Sequence, residues 1–157
     1  KDSIVLNAIS DVHLGVLQGK NLPVLKFSPE LEVLILADGI MDDVKSQGID
    51  WVQTYNPELP ITYTAGNHEY YGSRRDKDSG YSPAYVCNCG RVICIAEFFN
   101  NCKTKPILAI NGLSYYCNFV LKNGIYHYSN TYGYHNIVEK PEFDSQAKIL
   151  INSSKLT

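Results

Sequence analysis

Ile4-Val5-Leu6-Asn7-Ala8-Ile9-Ser10-Asp11-Val12-His13 is a short apolar run that breaks abruptly into polar residues, and the same design recurs twice. Val33-Leu34-Ile35-Leu36-Ala37 runs into Asp38-Gly39, and Ile61-Thr62-Tyr63-Thr64-Ala65 runs into Gly66-Asn67-His68-Glu69. Short length, β-branched content and near-continuous apolarity predict buried parallel strands rather than half-exposed ones.

Between the second and third runs, Val44, Trp51, Val52 and Tyr55 recur at helical spacing, and Asn56-Pro57 closes the segment. The order is strand, helix, strand. Gly19 to Glu30, with Pro23 and Pro29 near its ends, suits a short helix with loops. The first 70 residues therefore predict an α/β fold, a mixed sheet with flanking helices.

After Gly72 the chain turns into a charged loop, Ser73-Arg74-Arg75-Asp76-Lys77-Asp78-Ser79-Gly80. Shorter strands are expected at Val92 to Ala96, Ile107 to Ile110 and Leu113 to Val120, punctuated by turns at Gly112 and Asn123-Gly124. A final helix is expected from Pro141, with Phe143, Ala147, Leu150 and Ile151 on one apolar face.

A chain of 157 residues can bury its own core, so residues 1–157 are read as one domain or as the N-terminal part of a longer one. The second option arises because the chain starts at Lys1 and stops shortly after the expected helix. Fourteen basic against 16 acidic residues create no field that would draw the chain to nucleic acid or to an anionic membrane. Any phosphate must be held locally. No apolar leader or membrane-length run is present, and the five cysteines are odd in number, which together predict free thiols in a cytoplasmic protein. Cys87, Cys89, Cys94 and Cys102 lack the paired spacing of a structural zinc site.

In an open α/β sheet the carboxyl ends of the strands form the crevice where ligands bind. Asp11 and His13, two apart in an extended segment, would project to the same side and bring a carboxylate and an imidazole to one metal. Asp38 is the better ligand of the second strand end, while Asp42 and Asp43 suit a helix start. Gly66 permits a tight turn, Asn67 offers a neutral oxygen to a metal, and His68 can donate a proton near neutral pH. Any one of these is compatible with an ordinary cap or turn. Their recurrence on three consecutive strands favours a site.

The order Asp11-x-His13, Asp38 in Leu36-Ala37-Asp38-Gly39-Ile40-Met41-Asp42, then Gly66-Asn67-His68-Glu69 resembles the calcineurin-like metallophosphoesterase family. Its motifs run D-x-H, G-D-x-x-D and G-N-H-[DE], each at a strand end. The resemblance implies a metallophosphoesterase-like sandwich, incomplete at its C-terminus, and two divalent ions drawn from Mn, Fe, Zn or Mg. It implies that Asp11 and His13 bind the first ion, that an Asp of the second motif, Asp38 or Asp42, bridges the two, and that Asn67 binds the second. His68 would be the acid at the leaving group. The implied reaction is hydrolysis of a phosphate mono- or diester, with a phosphorylated small molecule or nucleotide as substrate. Arg74 and Arg75 are candidates to hold its phosphate.

Two features depart from the family pattern. Its Gly-Asp is inverted here as Asp38-Gly39, and its distal histidine motifs are missing. His127, among tyrosines, and His135, in Gly133-Tyr134-His135-Asn136, suit surface or packing roles. These departures keep open a non-catalytic scaffold or regulator. An α/β nucleotide-binding module is weaker, because no glycine-rich loop follows the first strand.

Overall fold

The computed structural model describes residues 3–14, 24–40, 47–64, 107–112, 116–134 and 138–152. The expected strands at the head of the chain form as β1 (Ser3–Ile9), β2 (Val33–Ala37) and β3 (Ile61–Thr64), with α1 (Gln47–Gln53) between the last two. β2 pairs in parallel with both β1 and β3. Parallel neighbours need a crossover, and α1 lies on the connection between β2 and β3. Trp51 and Val52 are buried, and Trp51 meets Tyr55 edge to face at 6.2 Å. Val44, Val92 to Ala96 and Gly19 to Pro23 lie outside the described residues, while 24–30 form loop and turn rather than helix.

The core gathers Ile9, Val12 and Leu14 from the first strand and its exit, Leu34, Leu36 and Ile40 from the second, and Trp51 and Val52 from α1. Leu25, Leu31 and Leu59 close it from the loops. This core lies against the strand ends that carry Asp11 and Asp38.

The expected C-terminal helix is not formed. Ile149–Asn152 is a strand, β9, which runs antiparallel along β1 and makes the sheet order β3-β2-β1-β9. The apolar positions Phe143, Ala147 and Ile151 fit a helical period. Ile149-Leu150-Ile151, however, is rich in β-branched residues and alternates between half-buried and exposed, which suits the open edge of β1. Upstream, the Asp144 carboxylate accepts from the Gln146 amide at 2.8 Å, a local turn that competes with helix. Phe143 still reaches the core, stacking edge to face on Tyr132 at 5.0 Å.

A second sheet has the order β4-β6-β5, built from β4 (Leu108–Ile110), β5 (Asn118–Lys122) and β6 (Ile125–Ser129). β5 starts later than Leu113 and runs on to Lys122. β7 (Gly133–Tyr134) and β8 (Val138–Glu139) form a small antiparallel ribbon. The molecule is thus of mixed α/β character, with strands predominating and α1 the one helix among the described residues.

Asn123 and Gly124 join β5 to β6 with φ of 54° and 77°, the pair of left-handed residues a two-residue hairpin of the right twist demands. A Cβ on Gly124 would meet open space, so only its backbone conformation resists a side chain. Gly124→Ala is expected to lower stability by about 1 kcal/mol, read as a shift of the denaturant midpoint. An unchanged midpoint would remove the left-handed turn.

Candidate metal centre

β1 and β2 end together. Their parallel register pairs Ile9 with Leu36, and the pairing continues past both strands through backbone bonds from Asp11 to Asp38 at 3.0 Å, His13 to Gly39 at 2.8 Å and Leu14 to Ile40 at 2.8 Å. The Asp38 amide donates in turn to the Thr64 carbonyl at the end of β3. Two polar strand ends are thereby locked side by side, and the third strand delivers residue 64 to the same edge.

Asp11, His13 and Asp38 are buried, at 1%, 1% and 8% exposure. His13 Nε2 lies 3.9 Å from Asp11 Oδ1. The expected route to this meeting, two residues apart on an extended segment, is corrected by the backbone. Asp11 and His13 have φ of 55° and 51°, and the intervening Val12 is fully buried in the core. Asp38, at φ 66°, and Gly39, at 62°, are left-handed as well. Asp and His tolerate this region better than β-branched residues do, but each still costs on the order of 1 kcal/mol. Three of the four non-glycine residues with positive φ among the described residues fall on this one edge.

The order Asp38-Gly39 has a steric reason. A Cβ at position 39 would stand 3.1 Å from His13 Cε1, 3.2 Å from Asp11 Cα and 3.3 Å from Asp11 Oδ1. A side chain there would crowd the imidazole and carboxylate by a few tenths of an ångström, and the left-handed φ of 62° strains any L residue at this position. Asp38 itself follows the last residue of β2, so the strict alternation of a strand no longer governs where it sits.

The second sheet buttresses the same edge. The exit of β6 pairs with the exit of β1 through the Ser10 and Thr131 bridge, with Ser10 donating to the Asn130 carbonyl at 3.1 Å and Tyr132 to the Ser10 carbonyl at 3.0 Å. Ser10 Oγ donates to Asp11 Oδ2 at 2.6 Å, and Thr131 Oγ1 lies 3.4 Å from the same oxygen. Below them, buried Asn7 accepts at Oδ1 from the Tyr128 hydroxyl at 3.0 Å and donates at Nδ2 to the Ser145 carbonyl at 3.1 Å. Asn130 grips the Asp144 backbone with both ends of its amide, at 2.8 and 3.1 Å. A buried polar network satisfied in this way fixes one arrangement of the two sheets.

Burial pushes the Tyr128 phenol far above its ordinary value, reinforced by its neighbours Cys117 and Asp144, so it acts as a neutral donor. Cys117 is a free thiol that donates to the Thr131 carbonyl at 3.4 Å. Burial is the main cause of its raised pKa, opposed by the hydrogen bond to Thr131 and reinforced by Glu142.

The structure brings Asp11 and His13 together and sets Asp38 beside them on the paired backbone. Asn67, His68, Arg74, Arg75, Asp42 and His135 lie outside the described residues. His127 sits mid-strand in β6, half-buried, opposite Ala109 and Val120. An oxygen and a nitrogen donor at this separation, with Gly39 keeping space beside them, fit a borderline divalent ion in donor chemistry. Among the described residues, no three His, Cys, Asp or Glu side chains converge as a complete metal-holding group. Ser10, Thr131 and Gly112 enter the site without notice from sequence. Ser10 borders Asp11, but Thr131 is 120 residues away and no spacing signals it.

No protein-family model, no curated protein and no solved structure matches the chain. No helix among the described residues is long and apolar enough to cross a membrane.

Proposed function

We propose that the chain is a metal-dependent phosphoesterase in which Asp11, His13 and Asp38 hold divalent cations at the carboxyl ends of β1 and β2. The observation that carries this reading is the meeting of buried Asp11 and His13 at one sheet edge, with buried Asp38 on the paired backbone and all three in the left-handed region. Backbone strain of this kind persists only where the surroundings over-determine it, and it concentrates at functional sites. The motif order seen in the sequence supports the same reading.

In this proposal Asp11 and His13 would hold one ion, Asn67 would hold a second, and an Asp of the second strand end, Asp38 or Asp42, would serve both. The bound ions, Mn, Fe, Zn or Mg, supply charge neutralisation at the phosphoryl oxygens and an activated water. The protein's own contribution is preorganisation. Asp11 and His13 are held by backbone bonds that do not need to form during reaction, and burial keeps bulk water from screening them. His68 donates the proton to the departing alkoxide, and Arg74 and Arg75 hold the substrate phosphate. The substrate is a phosphorylated small molecule or nucleotide.

The test is the metal content of the purified chain, together with Mn²⁺-dependent hydrolysis of bis-p-nitrophenyl phosphate. The expected outcome is at least one bound ion per chain and turnover abolished by a chelator and restored by Mn²⁺. Neither bound metal nor turnover would replace this reading with a non-catalytic scaffold.

A further inference from the structure

We infer that Thr131, with Ser10, is a positioning residue for the metal centre: the two hydroxyls clamp one oxygen of Asp11 and so aim the other toward His13. This rests on the metal-ion reading above and extends it to a residue 120 positions away, on the second sheet's side of the molecule.

The geometry separates the two oxygens of Asp11. Oδ2 receives the Ser10 hydroxyl at 2.6 Å, within the short range of a hydrogen bond to an ionised acceptor, and lies 3.4 Å from Thr131 Oγ1. Oδ1 lies on the other side, 3.9 Å from His13 Nε2. Ser10 and Thr131 are themselves in contact at 3.2 Å. Each hydroxyl has one proton. Since Ser10 commits its proton to Asp11, Thr131 shares its own between the Ser10 oxygen and Asp11 Oδ2. The three groups form a closed triangle in which the carboxylate is the only pure acceptor.

The triangle is held from behind. Ser10 and Thr131 are 1% and 0% exposed, and the backbone bonds of Ser10 with Asn130 and Tyr132 bracket them. Thr131 is β-branched, so its χ1 is stiff and its hydroxyl oxygen is held in place beside both partners. Carboxylate ligands of metals are oriented by such outer hydrogen bonds, and losing one weakens metal binding by roughly 10- to 100-fold. Thr131 touches neither the ion nor the substrate in this arrangement. Its effect passes through Asp11.

The experiment measures Mn²⁺ binding by calorimetry on the parent chain, Thr131→Val, Thr131→Ser and Ser10→Ala, with thermal melts of each. Thr131→Val keeps the shape and removes the proton, and it is expected to weaken Mn²⁺ binding by about tenfold. Thr131→Ser returns the hydroxyl and is expected to restore the parent affinity, a rescue that a packing role would not produce, since serine lacks the methyl. Ser10→Ala is expected to weaken binding at least as much, and it stands in if the valine variant does not fold. Parent-like Mn²⁺ affinity in a folded Thr131→Val or Ser10→Ala chain overturns the clamp while leaving the metal centre intact. A parent chain that binds no Mn²⁺ overturns the metal reading and the clamp with it.

Discussion

Asp11→Asn is expected to give a folded chain that hydrolyses an aryl phosphodiester at least ~100-fold more slowly than the parent and does not retain Mn²⁺, because a first ligand counts for more than the outer groups that orient it. The substitution is nearly isosteric. The asparagine oxygen can still accept the Ser10 hydroxyl that Asp11 Oδ2 accepts at 2.6 Å, so the local hydrogen bonding survives. What is lost is the negative charge.

That loss has opposite consequences for function and for folding. Asp11 and Asp38 are both buried, at 1% and 8% exposure, on adjoining strand ends joined by a 3.0 Å backbone bond. Two carboxylates on adjoining strand ends disfavour each other's ionised form. Removing one of the two charges relieves that repulsion, so without metal the Asp11→Asn chain is expected to melt at or above the parent temperature, the usual trade between activity and stability at a site. Metal analysis, steady-state rates and melting curves read the three effects separately. Parent-like turnover in the variant would remove Asp11 from the chemistry, and a lower melting temperature would show that its charge is structurally compensated within the chain.

Gly112→Ala should be the most damaging small substitution in the described structure. The turn after β4 comes so close to the end of β2 that an added Cβ would stand 2.4 Å from the Ala37 carbonyl oxygen and 2.6 Å from Asp38 Cβ. The first obstacle is backbone within the paired sheet, and no rotamer change can move it. Overpacking costs typically 1–3 kcal/mol, and a clash against fixed backbone belongs near ~3 kcal/mol. Denaturant midpoints measure this directly, and Gly124→Ala serves as a contrast because its Cβ would meet no atom within 4 Å. Since the displaced groups are Ala37 and Asp38, the variant is also expected to bind Mn²⁺ more weakly than the parent. If Gly112→Ala matches the parent in midpoint, β4 does not approach the end of β2 as described.

The strands β1, β2 and β3 were legible because each is a local signal. A short β-branched apolar run ending in polar residues needs no distant partner to be recognised. The helix across Trp51 and Val52 and the Asn123-Gly124 hairpin were legible for the same reason, as was the placement of Asp11, His13 and Asp38 at strand ends. The C-terminal segment was not. Its spacing of Phe143, Ala147 and Ile151 fits a helix, and what decided against one was the free edge of β1, which pairs with Ile149–Asn152. That edge belongs to residues almost 150 positions earlier in the chain.

The same division runs through the site. The amino-acid order alone determined which donors are available and that they recur at one sheet edge, because residue type and strand length are local properties. Only the tertiary structure decided that Asp11 and His13 meet on left-handed backbone, that Gly39 stands close against them in the left-handed region, and that Ser10, Thr131 and Gly112 complete their surroundings. The contacts of Gly39, Gly112 and Thr131 follow from where separate strand ends meet, and contacts closed over dozens of residues or more leave no periodicity for a sequence to display.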